Sequence, residues 1–450
     1  MKKALLLILL IAFGMFAGYQ WYIKPLLNIY VGFSAKTVCS CHYLQKRSIA
    51  DILKDELSVA PFIGNSIDAE NKVIRSSFLG VERLAKFRKG LGCTLLSEIK
   101  ADQLPDIDLT RNIVGYAIPK EVNRFPKLAP VIRQAFEEPF EDKVVNTRAV
   151  IVIKDSVIIG EQYAEGYDKH TPLMGWSMTK SVTNALVGIL VKQGKLNIQQ
   201  SVKINDWYLK ENDPRQAITL DHLLRMSSGL YFEEEYDKAS TVNRMLWTKA
   251  DAGKEAYAQE LQYPVDSVWY YSSGTTNIIS HIIRNQFSNE QDYLSFPYSA
   301  LFDKLGMTSV TMETDANDTY VGSSLMYASA RDWAKFGLLY LQNGKWNGER
   351  ILTEDWVAYS SKRTPTLSPY GFYGAHFWMN ALENPPANSD YPSKWEGVPA
   401  DAYYAAGFEG QNVLIIPSKN MVIVRLGQTL DRTAWDIGKF SASVLEAISD

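Results

Sequence analysis

Two apolar strand pairs, far apart in the chain, constrain the fold more than any other sequence feature. Residues 149–163 form two apolar runs around turn residues 154–156, and residues 413–426 repeat this arrangement around a turn at 417–420. Such runs, rich in β-branched residues and interrupted by turn residues, indicate β-hairpins. Helical periodicity and polar loops alternate between the pairs, and an amphipathic helix is predicted over 435–448. We therefore expect an α+β fold, in which both ends of this region complete one antiparallel sheet flanked by helices, with a helical insert.

The region before the first hairpin carries no recognisable chemistry. Residues 28–145 are mixed in character, with helices predicted over 48–57 and 84–89. We interpret this region as an N-terminal extension that packs on the main domain.

The N-terminus predicts a membrane segment. Lys2 and Lys3 precede the uncharged residues 4–23, which reach the length of about 20 residues that crosses a bilayer. Aromatic residues follow the apolar core of this run, at Tyr19, Trp21 and Tyr22, where a cleaved signal peptide would carry small residues. We expect an uncleaved signal-anchor helix with the lysines inside and the remaining chain exported to the bacterial periplasm or the cell exterior. A cleaved signal peptide that releases a periplasmic protein is the alternative.

Composition excludes several classes of protein. The chain has 450 residues, of which 46% are hydrophobic and 22% charged, so it can bury at least one large core. Its net charge is −3, and no sustained run of Lys and Arg is present. Nucleic-acid binding is therefore not expected.

The three cysteines permit a disulfide bond, but the sequence does not decide whether one forms. An odd count leaves at least one free thiol, and the spacing of Cys39, Cys41 and Cys93 does not match four zinc ligands. In an oxidising compartment Cys93 can pair with Cys39 or with Cys41, and we take Cys41 and Cys93 as the working pair. Three reduced, buried thiols are the alternative.

A Ser-x-x-Lys sequence supplies a candidate nucleophile and base. Ser177-Met178-Thr179-Lys180 lies at a predicted helix start, and residues three apart on a helix share a face. A serine hydroxyl becomes a nucleophile when a neighbouring base takes its proton. Lysine can act as that base if desolvation lowers its pKa from about 10.4. The pattern also occurs at Ser97-Glu98-Ile99-Lys100, so by itself it is weak evidence.

Two other hydrolase classes fit the sequence less well. An α/β-hydrolase needs a Gly-x-Ser-x-Gly elbow, and the sequence from Gly175 to Thr179 lacks the final glycine. The late histidines, His281 and His376, are interpreted as structural. No two histidines have the spacing of metal ligands on a helix face or short turn, so neither a metal nor another cofactor is expected.

Four further segments follow the serine–lysine pair at ordered spacings. They are Trp269-Tyr270-Tyr271-Ser272-Ser273-Gly274, Gly407-Phe408-Glu409-Gly410-Gln411, the stretch 222–230 (HLLRMSSGL) and the stretch 328–337 (ASARDWAKFG). Together they resemble the serine β-lactamase-like superfamily, which includes class C β-lactamases, penicillin-binding proteins, related esterases and 6-aminohexanoate-dimer hydrolases. The resemblance covers roughly residues 146–450. It implies a β-lactamase-related serine hydrolase domain over 146–450, which the signal-anchor or signal peptide, assigned to 1–27, and the extension over 28–145 precede.

The resemblance assigns roles to individual residues. Ser177 would be the acylated nucleophile, Lys180 its base or proton relay, and Tyr271 the second member of the relay. A phenol beside an ammonium favours its phenolate, so Lys180 and Tyr271 are expected to share a proton as a coupled pair. The oxyanion hole would be the backbone N–H groups of Ser177 and Gln411.

Two departures from the family pattern bear on the substrate. Ser273 stands where the second motif has asparagine, and Phe408 stands where the third motif has lysine or histidine. In β-lactamases that cation helps to bind the substrate carboxylate, which a phenyl ring cannot do. We therefore expect neutral ester or amide substrates ahead of β-lactams and D-Ala-D-Ala peptides.

Ser273, Phe408, Glu409 and Gly410 are predicted to contact substrate. Glu409 adds negative charge nearby, with the alternative that strand alternation points its carboxylate away. Tyr236 lies in an acidic loop, Glu233 to Asp237, where relatives close a tyrosine over the substrate. Trp176, Trp269 and Trp378 are candidates to line the cleft, although core packing is the plainer interpretation of each. The expected function is a membrane-anchored serine hydrolase for small ester, amide or peptide substrates, with oligomeric state left open. A β-lactamase or D-Ala-D-Ala carboxypeptidase, and a catalytically silent binding protein with the same fold, are the alternatives.

Overall fold

A computed structural model describes residues 2–58, 60–105, 107, 109–122, 124–366, 372–380 and 395–449. The helices are α1 (Lys2–Gly18), α2 (Lys24–Gln45), α3 (Ile49–Asp55), α4 (Leu128–Gln134), α5 (Met178–Lys192), α6 (Leu220–Leu224), α7 (Thr241–Thr248), α8 (Ala252–Tyr257), α9 (Ser273–Arg284), α10 (Glu290–Pro297), α11 (Ala330–Leu341), α12 (Glu354–Ser360) and α13 (Ile437–Ala447). The strands are β1 (Gly64–Asp68), β2 (Val73–Phe78), β3 (Val81–Arg88), β4 (Gly92–Leu95), β5 (Thr147–Lys154), β6 (Val157–Tyr163), β7 (Leu173–Met174), β8 (Thr311–Met312), β9 (Met326–Ala328), β10 (Lys345–Trp346), β11 (Glu349–Arg350), β12 (Trp378–Met379), β13 (Tyr403–Gly407), β14 (Gln411–Ile416) and β15 (Met421–Gly427).

The chain forms two compact units. Unit 1 contains residues 1–107, 232–255 and 313–319, and unit 2 contains residues 108–231, 256–312 and 320–450. The domain boundaries proposed from the sequence remain a prediction.

Unit 2 is built on a six-stranded antiparallel sheet in the order β12-β13-β14-β15-β5-β6. Within this sheet β15 pairs with β5, so strands from both ends of the region lie side by side, as the sequence predicts. On one face, apolar side chains of the sheet pack against α4 and α13. Helices α5 and α11 pack against the sheet as well. The two predicted hairpins and the helix at 435–448 are confirmed, the last as α13.

Turn chemistry explains the first of these hairpins. Asp155 and Ser156 connect β5 to β6 with φ values of 53° and 63°. A two-residue turn with both φ values positive matches the right-handed twist of the strands it joins. The polar residues that predict a turn in the sequence therefore also satisfy its backbone geometry.

Unit 1 contains a four-stranded antiparallel sheet in the order β1-β2-β3-β4. Helix α2 packs on β2, β3 and β4 and buries Ala35, Val38 and Cys39 in the shared core. The predicted helix over 48–57 is confirmed as α3, whose N-cap Ser48 accepts a hydrogen bond from the Asp51 N–H at 3.1 Å.

The predicted helix over 84–89 is wrong, because these residues lie in or directly after β3. The spacing of Val81, Leu84 and Ala85 fits a helix as well as a strand. In the structure β3 pairs with β2 on one side and with β4 on the other, so the sheet satisfies its backbone hydrogen-bonding groups. Tertiary pairing, which is not visible in a short sequence window, decides between the two conformations.

The working disulfide pair Cys41–Cys93 is also wrong. Cys39 bonds to Cys93, with the two Cα atoms 6.0 Å apart, and Cys41 is a buried free thiol. Residues two apart on a helix point about 200° apart around its axis. Helix α2 therefore directs only one of its two cysteines towards β4, and that residue is Cys39.

Buried charges fix the segment 313–319 within unit 1. The Glu313 carboxylate accepts hydrogen bonds from the Ser40 hydroxyl at 2.8 Å and the Cys93 N–H at 2.7 Å, and it forms an ion pair with Lys36. Asp318 forms a second ion pair with Arg88, whose side chain is fully buried. Removing one partner of such a pair leaves an uncompensated charge in the core, so these contacts strongly favour this arrangement.

Asp315 makes the stability of unit 1 pH-dependent. Its carboxylate accepts the N–H groups of Ala252, Asn317 and Thr319 at 2.9–3.0 Å, yet burial raises its pKa to about 7. Because the folded state holds this proton more tightly than the unfolded state, the stabilisation is complete below pH 3.8 and is lost as the pH rises through 7.

We expect the Tm of Asp315→Asn, relative to that of the wild type, to rise as the pH is raised from 5 to 8, because the amide does not ionise. Thermal unfolding at each pH measures the difference. The matched control is Glu70→Gln, an exposed acidic residue of the same unit, which should follow the wild type at every pH. A constant offset between Asp315→Asn and the wild type would contradict the raised pKa.

Candidate active site

The start of α5 brings the serine hydroxyl and the lysine amine together. Ser177 is the N-cap residue of α5, and Lys180 lies three residues later on the same face. Lys180 Nζ lies 3.0 Å from Ser177 Oγ. The contact that the Ser-x-x-Lys spacing predicts is therefore present.

Lys180 Nζ is held from several directions. It donates to Ser273 Oγ at 2.9 Å and to the carbonyl oxygen of Ser323 at 3.0 Å, in addition to its contact with Ser177. The whole residue is 1% exposed. A buried amine with fixed acceptors has little freedom to leave the serine, so the pair is preorganised.

Tyr271 contacts the amine through its ring. Lys180 Nζ lies 4.8 Å from the centroid of the Tyr271 ring, within the range of a cation–π interaction. The ring stacks on Trp378 at 5.4 Å and meets Tyr373 edge-on at 5.9 Å. Sequence motifs about a hundred residues apart thus place serine, lysine and tyrosine at one site.

Helix α9 follows Tyr271 directly and positions Ser273. The N-cap Ser272 accepts the Thr275 N–H at 3.2 Å, which fixes the first turn of the helix. Ser273 is the first helical residue and is fully buried, with its hydroxyl against Lys180. The shorter side chain at the asparagine position thus reaches the lysine, and its predicted contact with substrate remains a prediction.

His376 contacts the helices that carry the site residues, a role that the sequence analysis did not assign to this histidine. One ring nitrogen, Nδ1, lies 2.9 Å from the Lys180 carbonyl oxygen, and Nε2 lies 3.2 Å from Thr276 Oγ1. Burial first, and the Lys180 charge second, lower its pKa to about 3, so the imidazole is neutral at physiological pH. His376 ties α5 to α9 as a positioning residue, which agrees with its structural interpretation. A lone histidine gives no sequence signal for this role.

The third motif forms a tight turn between β13 and β14. Glu409 and Gly410 have φ values of 61° and 80°. Arg425, which is fully buried, donates to the carbonyl oxygens of Glu409 at 3.2 Å and Gly410 at 3.0 Å. The Gln411 side chain also donates to the carbonyl oxygen of Phe408 at 3.2 Å. The turn is therefore clamped by side chains of its own sheet.

This turn contacts the residue that precedes the candidate nucleophile. Glu409 Oε2 accepts a hydrogen bond from Trp176 Nε1 at 3.2 Å, and the Phe408 ring packs edge-on against Trp176 at 5.6 Å. The expectation that strand alternation turns Glu409 away is wrong, because Glu409 lies in a left-handed turn and not in a strand. Its carboxylate instead holds the indole of Trp176.

Backbone contact joins the two segments that carry the predicted oxyanion-hole groups. A Cβ atom on Gly407 would overlap the carbonyl oxygen of Gly175, so only glycine permits this approach. Gly175 lies two residues before Ser177, and Gly407 pairs with Gln411 across the turn. The roles of the Ser177 and Gln411 N–H groups remain a prediction.

The other predicted residues are placed as follows. Tyr236 belongs to unit 1, where its hydroxyl donates to Glu234 Oε1 at 2.9 Å, and its predicted contact with substrate remains a prediction. Trp269 is 5% exposed and packs with Tyr373 and Trp378, as core packing requires. The second Ser-x-x-Lys match begins at Ser97, which is fully buried in unit 1. Within the described ranges, no group of three or more His, Cys, Asp or Glu residues is arranged to hold a metal ion.

The fold and the ordered motifs are those of the serine β-lactamase-like hydrolases. The chain belongs to the beta-lactamase family, whose model matches residues 132–438. It is 22% identical over 325 residues to the 6-aminohexanoate-dimer hydrolase of Paenarthrobacter ureafaciens, covering 67% of this chain and 76% of that protein.

Solved structures show the same fold. EstCE1, described as a hydrolase with promiscuous acyltransferase activity, superposes with a TM-score of 0.54 at 15% identity, covering 72% of this chain and 97% of that one. A family VIII carboxylesterase superposes with a TM-score of 0.53 at 12% identity, covering 74% and 98% of the two chains. The fold predicted from the sequence is confirmed.

Proposed function

We propose that the chain is a serine hydrolase that cleaves ester or amide bonds of small substrates through an acyl-enzyme on Ser177. The observation that carries this proposal is the buried contact of 3.0 Å between Ser177 Oγ and Lys180 Nζ, beside the ring of Tyr271. Similarity to a 6-aminohexanoate-dimer hydrolase and a fold shared with a family VIII carboxylesterase support it.

In the first half-reaction, neutral Lys180 accepts the hydroxyl proton as Ser177 Oγ bonds to the substrate carbonyl carbon. The resulting oxyanion is stabilised by the N–H groups of Ser177 and Gln411. The proton then passes through Lys180 and Tyr271 to the departing alkoxide or amine, and the bond to the leaving group breaks. In the second half-reaction the same pair takes a proton from water as it attacks the acyl carbon, and returns that proton to Ser177 Oγ as the bond between Oγ and the acyl carbon breaks and the acid is released.

The aromatic turn favours neutral substrates. Phe408 offers a phenyl ring where a cation would bind a carboxylate, and its neighbour Trp176 is apolar on that side. The one carboxylate in the turn, Glu409, is engaged by the indole N–H of Trp176. A short-chain aryl ester therefore needs no charged partner at this position.

One observation favours the second candidate, cleavage of β-lactams or D-Ala-D-Ala peptides. The Arg432 guanidinium lies 5.7 Å from the centroid of the Phe408 ring, and the residue is exposed. A cation is thus available beside the position that the family motif gives to lysine or histidine. The two candidates differ in whether Arg432 takes part in substrate binding.

A substrate panel distinguishes them. We expect short-chain p-nitrophenyl esters to be hydrolysed with higher kcat/KM than linear amides, D-amino peptides or nitrocefin, and Arg432→Gln to leave ester turnover unchanged. Efficient nitrocefin hydrolysis that Arg432→Gln abolishes would instead support the second candidate. The Ser177→Ala chain serves as the blank in every assay.

We also propose that the hydrolase is exported and anchored in a membrane by its N-terminus. One continuous helical stretch, Leu5–Gln45, has the length and composition of a membrane span, and its most apolar part is not buried by protein. The second half of this stretch, α2, is buried in unit 1. The disulfide Cys39–Cys93 supports an oxidising compartment for this unit.

A further inference from the structure

The tip of the β2–β3 hairpin carries a residue that suits neither its backbone nor its surroundings. Phe78 pairs with Val81, so Leu79 and Gly80 alone form the turn, with φ values of 44° and 78°. Asn-Gly is the usual pair in such a turn, and a bulky side chain at positive φ is strongly disfavoured. The side chain of Leu79 gains nothing from the protein core, because the residue is 63% exposed.

Leu79 lies beside the end of the apolar helix. The Tyr19 hydroxyl, in the π-helical turn Tyr19–Ile23, donates to the Leu79 carbonyl oxygen at 2.6 Å. Phe62 is 49% exposed, and its ring lies 4.6 Å from that of Phe78. We call Leu79 and Phe62 the hairpin-tip patch.

Exposed aromatic residues of the N-terminal helix lie at the same position along its axis as the hairpin-tip patch. Trp21 and Tyr22 are 72% and 80% exposed, and both follow Tyr19 directly. Residues 4–23 span about 30 Å at about 1.5 Å per residue, which equals the hydrocarbon thickness of a bilayer. On the same rise, Tyr19 lies about 6 Å inside the end of this segment. The hydrogen bond from Tyr19 therefore sets Leu79 at the depth of the boundary between headgroups and acyl chains, where exposed apolar and aromatic side chains are stabilised.

We propose that the hairpin-tip patch inserts into the lipid interface beside the N-terminal helix and gives unit 1 a second, peripheral membrane contact. This inference rests on the proposed membrane anchoring. Lipid contact explains why the exposed side chain at this turn is apolar, since its transfer from water to an acyl-chain environment is favourable and can offset the strain of the positive φ. One helix alone leaves rotation about its axis and tilt unconstrained, whereas a second contact fixes both.

Spin labels on the full chain in nanodiscs of phosphatidylcholine and phosphatidylglycerol test the proposal. Single nitroxide labels are attached in Leu79→Cys, in Phe13→Cys within α1, and in Glu70→Cys on the β1–β2 turn at the opposite end of the sheet. The unsubstituted chain is the labelling blank, because Cys41 is buried. Accessibility to oxygen and to a water-soluble nickel chelate then reports the depth of each label.

We expect the label at 79 to be severalfold less accessible to the nickel chelate than the label at 70, and more accessible to oxygen. Labels at 79 and 70 that are equally exposed to nickel, while the label at 13 lies deep in the bilayer, would overturn the inference and leave the anchoring intact. A label at 13 that is exposed to water would instead overturn the anchoring itself, and the inference with it.

Leu79→Asn tests the same proposal by removing the apolar side chain. Asparagine tolerates positive φ, so the hairpin turn is retained. In the nanodisc experiment a label at Phe62→Cys should become more accessible to nickel when Leu79→Asn is added, and an unchanged accessibility would count against a joint patch.

Discussion

A fluorophosphonate probe should label the wild-type chain and leave Ser177→Ala unlabelled. The probe forms a covalent bond only with an activated serine hydroxyl, and Ser177 Oγ lies 3.0 Å from Lys180 Nζ at the start of α5. We expect the loss to be complete within detection, since removal of the nucleophile removes the covalent pathway. Labelling is measured by in-gel fluorescence and by mass spectrometry of the labelled peptide.

The chain supplies a matched control in its second Ser-x-x-Lys sequence. Ser97→Ala removes a serine of the same pattern that is fully buried in unit 1, and it should be labelled as strongly as the wild type. Failure of the wild type to be labelled at any pH would favour the catalytically silent binding protein. Equal labelling of Ser177→Ala and the wild type would assign the nucleophile elsewhere.

Lys180→Ala should reduce the rate of acylation by about 10²- to 10⁴-fold, the range expected when a positioned general base is lost. The substitution removes the amine that contacts Ser177 Oγ and leaves the hydroxyl in place. Pre-steady-state release of p-nitrophenol from an aryl ester measures acylation directly. Lys192→Ala, an exposed lysine at the end of the same helix, is the control and should acylate at the wild-type rate.

Lys180→Arg separates the base from a fixed positive charge. Arginine keeps the charge but stays protonated, so it cannot accept the serine proton. We expect Lys180→Arg to be as slow as Lys180→Ala, with folding of both verified by thermal unfolding because Lys180 also holds Ser273 and the Ser323 carbonyl. A near-normal rate in Lys180→Ala would remove lysine from the mechanism, and a near-normal rate in Lys180→Arg would reduce its role to electrostatics.

Local rules account for the elements that the sequence predicts correctly. Polar turn residues such as Asp155 and Ser156 adopt the left-handed conformations that a tight hairpin needs. The three-residue spacing of Ser177 and Lys180 puts both side chains on one helix face whatever surrounds that helix. The order of the motifs, read as a family resemblance, adds Tyr271 to the same site. Each of these features depends on neighbours in the chain or on a pattern that can be read along it.

The hydrogen-bond acceptors around Lys180 could not be predicted from the sequence. Ser273 and Ser323 lie far from Lys180 in the chain, and His376 reaches the Lys180 carbonyl oxygen from further still. Nothing in the residues around His376 marks it as a partner of the site. These contacts exist because α5, α9 and the chain around His376 pack together, and that packing depends on the whole core of unit 2.

The α+β class, the two hairpins, the apolar N-terminal segment and the serine–lysine contact could be predicted from the residues alone, because short-range geometry and periodicity dictate each of them. Three features required the folded chain: residues 84–88 extend a sheet, Cys39 rather than Cys41 bonds to Cys93, and Glu409 accepts a hydrogen bond from Trp176. The physical reason is common to all three. Strand pairing, the direction of a helix face and the contacts of a turn are settled by groups distant in the chain, whose burial contributes more free energy than the local preferences it overrides.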